Sequence, residues 1–134
     1  MKSRETLIRL KRFQAEEKRR RVAQLQLMIG EFTRMSTDLD REITTEETRA
    51  NITDPSHFAY PTYARAARVR RDNLVLSLNE LRGQLEEAEA QFKDANDELL
   101  KAQSQDARER GSERMIDVMP ERRSGEIGEA YRRA

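Results

Sequence analysis

Cysteine and tryptophan are absent from this chain of 134 residues, and histidine occurs once. Without cysteine there is neither a disulfide framework nor a thiolate metal site. The single histidine, His57, excludes a multi-histidine metal site and argues against a histidine-based catalytic triad. The sequence also lacks a glycine-rich phosphate loop, a pair of carboxylates for acid-base chemistry and any metal-ligand spacing. These absences predict a protein that is not an enzyme and needs no cofactor.

Long apolar runs are absent as well. No segment approaches the roughly 18 apolar residues that a membrane-spanning helix requires, so we expect no direct membrane insertion. The opening residues 1–13 (MKSRETLIRLKRF) lack the apolar stretch of about 7 to 15 residues that a secretory signal contains. The sequence therefore predicts a cytoplasmic protein.

Proline and glycine are scarce, and their positions divide the chain. The stretches 3–50 and 62–109 each contain one glycine and no proline, so each is suited to one long helix. The segment 51–61 between them holds two of the three prolines, which favours a loop. Residues 110–134 contain three of the five glycines and the third proline, and we expect them to form a disordered or weakly helical tail.

Apolar residues in both stretches recur with alternating steps of three and four, which is typical of the seam of a left-handed coiled coil. Toward the N-terminus the pattern weakens, because Lys11 and Lys18 occupy seam positions while Leu10 and Phe13 fall outside them. The predicted seam consists of Val22, Leu25, Ile29, Phe32, Ser36, Leu39 and Ile43 in the first stretch and of Leu74, Leu78, Leu81, Leu85, Ala88, Phe92, Ala95, Leu99 and Ala102 in the second.

The charge distribution favours pairing of the two stretches within one chain. Folding back at the loop brings blocks of opposite charge together, whereas a parallel dimer of first stretches would stack like charges, which oppose pairing. The net charges are +6 for residues 1–21, −3 for 22–50, +3 for 64–82 and −5 for 83–109. We therefore predict an all-α fold in which two long helices form an antiparallel coiled-coil hairpin over residues 1–109.

The hairpin also predicts a register. A residue i should lie opposite a residue near position 113 − i, which places Gly30 and Gly83 at the same level. Each glycine lowers helix stability by about 1 kcal/mol relative to alanine, so we expect a soft point there.

Two surface features favour contacts with partner proteins. The basic run 18–21 suggests a docking surface for an acidic partner, or equally a solvated face that pairs with the other helix. DNA binding is disfavoured because the acidic second stretch would screen this run. In and beside the loop, Phe58, Tyr60 and Tyr63 are three of the seven aromatic residues. They favour partner contact, although a local cap with Phe58 and Tyr60 folded onto the helices is the competing interpretation.

Several segments resemble the FliJ family of flagellar export proteins, in the form found in alphaproteobacteria. The resemblance covers about residues 1–109 and is most specific at the loop. The matching segments are 1–13 (MKSRETLIRLKRF), 17–21 (EKRRR), 39–43 (LDREI), 54–67 (DPSHFAYPTYARAA) and 70–74 (RRDNL).

This resemblance implies a non-catalytic, coiled-coil stalk of the flagellar type III export apparatus. Its partners would be the hexameric export ATPase, the cytoplasmic domain of the export gate and export chaperones, and it would associate peripherally with the inner face of the cell membrane through that apparatus. Matched by region, the ATPase-facing residues would be Arg4, Arg9, Arg12, Lys18, Arg19, Arg20 and Arg21. The gate-facing residues would be Phe58, Tyr60 and Tyr63.

Two other functions remain open at this point. A coiled-coil arm that binds RNA would need a basic stripe along one face and would bind in a salt-sensitive manner. A general chaperone or scaffold hairpin of the prefoldin type would need strands between its helices, and residues 51–61 show no alternating strand pattern.

Overall fold

The computed structural model describes residues 2–118 of the chain. Helix α1 spans Lys2–Ala50 and helix α2 spans Thr62–Val118, with the loop 51–61 between them. Residues 2–118 contain no β-strand. The two helices pack against each other in opposite directions, and the predicted all-α helical hairpin is thereby confirmed.

Helix α2 is longer than predicted. The predicted second stretch ends at Glu109, whereas residues 110–118, expected to belong to a disordered or weakly helical tail, continue the helix. A single glycine, Gly111, costs only about 1 kcal/mol relative to alanine. Its effect is opposed by ion pairs on either side, including one from Arg110 to Asp106 at 3.1 Å. The remainder of the predicted tail, 119–134, lies outside the described residues.

The hairpin comprises two compact units. Unit 1 consists of Met1–Ala15 and Asp94–Ala134, of which 2–15 and 94–118 are described, and unit 2 consists of Glu16–Lys93. Each unit contains a segment of α1 and a segment of α2. The composition of the seam differs between the two units.

Apolar side chains form the seam of unit 2. One cluster contains Leu25, which is 1% exposed, and Ala88, and a second contains Leu39 and Leu74. Both of these pairs fit the predicted register of 113 − i. Ser36 is also buried, so it is a polar interruption between the two clusters. The seam positions predicted from 22 to 43 and from 74 to 92 are all buried or half-buried.

Charged residues occupy part of the seam of unit 1. The alternating steps of four and three continue upstream from Ala15 through Lys11 and Ile8 to Arg4, and all four positions are buried or half-buried. On α2 the same steps lead from Ala102 to the buried Asp106. Leu10 and Phe13 are exposed, in agreement with the predicted weakening of the apolar pattern.

Helix α1 ends in a Schellman motif at the start of the loop. Asn51 adopts a φ of 58°, the left-handed conformation that asparagine tolerates better than most residues. Its N–H donates to the carbonyl of Thr48, and the N–H of Ile52 donates to the carbonyl of Glu47, both at 3.2 Å. These bonds satisfy carbonyls that a helix end otherwise leaves unpaired.

Replacing the two exposed glycines of unit 2 should stabilise the hairpin. An added Cβ would meet no atom within 4 Å at Gly30 or Gly83. Gly30→Ala and Gly83→Ala should each raise the free energy of unfolding by about 1 kcal/mol, because alanine favours the helix. Urea unfolding followed by circular dichroism measures the change. The matched control Ala23→Gly, on the exposed face of α1, should lose a similar amount, and alanine variants no more stable than the wild type would contradict the expectation.

Candidate partner-docking surfaces

Arg4, a predicted docking residue, is held by three carboxylates of α2. Its side chain is 15% exposed, and its Nε lies 3.0 Å from Oδ1 of Asp106. Its guanidinium also donates to Glu109 at 2.7 Å and to Glu113 at 3.2 Å. The Arg4 Nε and Asp106 Oδ1 are buried and lack hydrogen-bond geometry, so their contact is an ion pair only. The charge of Arg4 is thus neutralised within unit 1, contrary to its predicted docking role.

Arg9 and Arg12 remain available on the surface of unit 1. Both are exposed, and neither forms an ion pair within residues 2–118. They line a polar groove of about 410 Å³. The other residues of this groove are Glu5, Ile8, Gln103, Asp106 and Arg110. Two guanidinium groups there are free to contact an anionic partner.

The basic run 18–21 lies in unit 2 and is largely paired. Lys18 and Arg21 donate to glutamines of α2, whereas Arg19 and Arg20 pair with glutamates one turn earlier on α1. The contacts are Lys18 to Gln91 at 3.4 Å, Arg21 to Gln84 at 3.3 Å, Arg19 to Glu16 at 2.7 Å and Arg20 to Glu17 at 3.8 Å. The Arg19 and Arg20 side chains are still more than half exposed. Exposed ion pairs of this kind are weak, so both arginines can exchange partners.

Hydrogen bonds within the loop hold Phe58 outward. Oδ1 of Asp54 accepts from the backbone N–H of Ser56 at 3.0 Å and from its hydroxyl at 2.8 Å. Nδ1 of His57 accepts from the N–H of Ala59 at 3.0 Å. The His57 and Phe58 rings stack with centroids 4.9 Å apart, and Phe58 is 95% exposed. An exposed aromatic ring on an ordered loop is well suited to partner contact.

Tyr60 faces inward and connects the loop to both helices. It is 4% exposed, its hydroxyl donates to Glu47 on α1 at 2.5 Å, and it accepts from Nε of Arg68 on α2 at 2.7 Å. Arg68 also donates to Glu47 at 2.8 Å. The prediction that Tyr60 offers its ring to a partner is therefore wrong. The local-cap interpretation is confirmed for Tyr60, and it is wrong for Phe58.

Tyr63 is intermediate in exposure between Phe58 and Tyr60. It lies in the first turn of α2, is half exposed, and donates its hydroxyl proton to Glu42 on α1. That hydrogen bond is the main reason why the pKa of Tyr63 is raised above its ordinary value. The loop region thus presents the ring of Phe58 and part of Tyr63 to a partner.

Sequence reasoning missed three residues that organise these surfaces. Glu47 and Arg68 have no signal in the sequence, because they are ordinary charged residues on helix flanks. The third, Asp106, could have been found by continuing the seam pattern four residues beyond Ala102.

The hydrogen-bonded carboxylates predict loss of stability in acid. The pKa of Glu47 lies below its ordinary value of 4.5, mainly because Tyr60 donates a hydrogen bond to it and, to a smaller extent, because Arg68 does. A hydrogen bond from Lys11 lowers the pKa of Glu98 in the same way. Their folded-state pKa values lie below the unfolded ones, so their stabilisation is complete above about pH 4.5 and is lost as pH falls through the folded values. Urea midpoints should hence be flat from pH 7 to 5 and fall below pH 4.5.

The matched variant Glu47→Gln cannot titrate at that position. It should be less stable than the wild type at pH 7 and should lose less stability between pH 5 and pH 3. A wild type whose urea midpoint rises on acidification would contradict the lowered pKa values of these carboxylates.

Residues 2–118 contain no group of three or more metal-ligating side chains suited to a metal ion. Neither described helix has an apolar stretch that could cross a bilayer. Comparisons with protein-family models, with curated proteins and with solved structures find no match to this chain.

Proposed function

We propose that the chain is a non-catalytic coiled-coil stalk of the bacterial flagellar type III export apparatus. In this proposal it couples the export ATPase ring to the cytoplasmic domain of the export gate, assists chaperone and substrate delivery, and reaches the inner face of the cell membrane only through that apparatus. The observation that carries it is the antiparallel two-helix hairpin with an apolar seam in unit 2, which is the fold that the resemblance implies. The resemblance of residues 54–67 to that family adds the family-specific part.

The geometry narrows the set of docking residues within this proposal. Arg9 and Arg12 are exposed cations of unit 1 that form no ion pair within residues 2–118, and Arg19 and Arg20 of the basic run are more than half exposed. We assign contact with the ATPase to these four rather than to Arg4. At the loop, contact with the gate falls to Phe58 and Tyr63, since Tyr60 is buried.

The two rival functions receive less support. A basic stripe for RNA is interrupted in unit 1, because Glu5 and Asp106 line the same groove as Arg9 and Arg12. A prefoldin-type chaperone requires strands, and the described residues contain none.

The test of the ATPase contact is stimulation of the cognate flagellar export ATPase by the full chain. The chain alone should hydrolyse no nucleotide, and it should raise the rate of the ATPase. Arg9→Glu with Arg12→Glu should weaken that stimulation at least tenfold. The control Arg34→Glu changes an exposed arginine of α1 that forms no ion pair within residues 2–118, and it should stimulate like the wild type. No stimulation by the wild type would contradict the proposed function.

The gate contact is tested separately by calorimetry with the purified cytoplasmic domain of the export gate. Phe58→Ala should weaken binding at least tenfold without lowering helix content, because the ring is 95% exposed. Unchanged binding by Phe58→Ala would remove the assigned gate contact and leave the ATPase contact standing.

A further inference from the structure

A groove with an apolar floor opens on one side of unit 2. Phe32, Leu39 and Leu74 contribute to its lining, and Met35, which is 49% exposed, borders it. The groove has a volume of about 530 Å³. It lies where the seam is interrupted by the small residue Ser36, between the two hydrophobic clusters. A large side chain from another helix could pack there as a knob into a hole.

The two helices that border the groove differ in charge. Asp38 and Glu42 line it, together with one basic residue, Arg70. The α1 wall, 31–47, contains six acidic and two basic residues, whereas the α2 wall, 64–82, contains two acidic and five basic residues. A partner helix that contacts the α1 wall should therefore combine apolar side chains with a basic flank.

The start of α1 has this character. Leu7, Leu10 and Phe13 are spaced three residues apart, so they are neighbours on one helix surface, and they are 43%, 49% and 57% exposed. Residues 2–15 contain five basic residues and one acidic residue. Arg9 and Arg12 in this segment form no ion pair within residues 2–118.

We propose that the groove of one copy binds the start of α1 of a second copy, with Leu10 and Phe13 packed against Met35, Leu39 and Leu74. The net charge of −4 on the α1 wall, 31–47, favours contact with the +4 of segment 2–15. The two surfaces differ, so the contact is heterologous. Because Arg9 and Arg12 lie in the same segment, self-association and docking of another protein there would exclude each other; the self-association does not depend on the proposed export function.

Sedimentation velocity of the full chain tests this directly. The sedimentation coefficient of the wild type should rise with concentration at low salt and return to the monomer value at high salt, because the attracting charges are exposed and screened. Met35→Lys repels a basic helix, and Leu10→Gln with Phe13→Gln removes its apolar residues. Each variant alone should associate at least tenfold more weakly than the wild type, with unchanged helix content.

Mixing the Met35→Lys variant with the Leu10→Gln, Phe13→Gln variant provides the decisive test. The Met35→Lys protein keeps an intact α1 start, and the doubly substituted protein keeps an intact groove. An equimolar mixture should therefore regain a one-to-one complex and nothing larger. The control Leu76→Gln, at a side chain that is 65% exposed on α2, should associate like the wild type.

Three results would overturn the proposal. A wild type that stays monomeric at every concentration would leave the groove to another protein or to residues 119–134. Variants that associate as strongly as the wild type would show that other surfaces make the contact. A mixture of the two variants that stays monomeric would show that these two surfaces do not bind each other.

Discussion

Leu25→Ala should lower the free energy of unfolding by about 3 kcal/mol, the typical cost of emptying a fully buried leucine site. Leu25 is 1% exposed and packs with Leu81 and Ala88 across the seam. The neighbouring helix segments cannot close the cavity without moving the other seam side chains. Urea unfolding followed by circular dichroism at 222 nm measures the loss. The loss should be a large part of the total stability, because a two-helix hairpin has only one seam.

Leu27→Ala is the matched control. Leu27 lies two residues away on the same helix and is 70% exposed, and leucine and alanine have similar helix propensities. Its replacement should change stability by less than about 0.5 kcal/mol. Equal losses at the two positions would mean that Leu25 is not in the seam.

Tyr60→Ala should lower the free energy of unfolding by about 3 kcal/mol, as for other buried aromatic side chains. The substitution removes a ring that is 4% exposed and the hydroxyl that joins Glu47 to Arg68. Amide hydrogen exchange should show the effect first in the last turn of α1 and the first turn of α2. Tyr60→Phe retains the ring and should lose less.

Phe58→Ala is the control for the loop. Phe58 lies two residues before Tyr60 and is 95% exposed, so its removal should leave stability and exchange unchanged. If Phe58→Ala were as destabilising as Tyr60→Ala, the assignment of one outward and one inward aromatic residue would be contradicted.

The sequence is informative about the seam because its signal is local and repetitive. The steps of three and four place every predicted seam residue, including Ser36, at a buried or half-buried position. The antiparallel register also follows from the sequence, because two helical stretches of equal length, 3–50 and 62–109, are joined by a short loop. Leu25 with Ala88 and Leu39 with Leu74 fit it.

The charged part of the seam was less predictable. Arg4 and Asp106 continue the same steps, but charged side chains give no apolar signal, so the apolar pattern ends before the seam does. The ion pair of Arg4 with Asp106 then holds the start of α1 on α2. The extent of helix in 110–118 was hard to predict for a related reason, because the ion pairs around Gly111 depend on the fold.

The loop was the least predictable region because it has no periodicity. Phe58 and Tyr60 are both aromatic and only two positions apart. The difference between them depends on Glu47 and Arg68, which belong to the two helices and are brought together only by the fold. The sequence shows that aromatic residues cluster there, whereas tertiary contacts decide which of them is exposed.

The fold-back of the chain within one molecule is tested most directly with spin labels at Val22 and Glu89. Both positions lie in unit 2, and Val22 packs against the cluster that contains Ala88. The chain has no native cysteine, so two introduced cysteines carry the only labels. Packed helices lie about 8 to 10 Å apart, so the spectrum should show strong dipolar broadening that persists on dilution with unlabelled protein. Absence of broadening, or its loss on that dilution, would contradict an intramolecular hairpin.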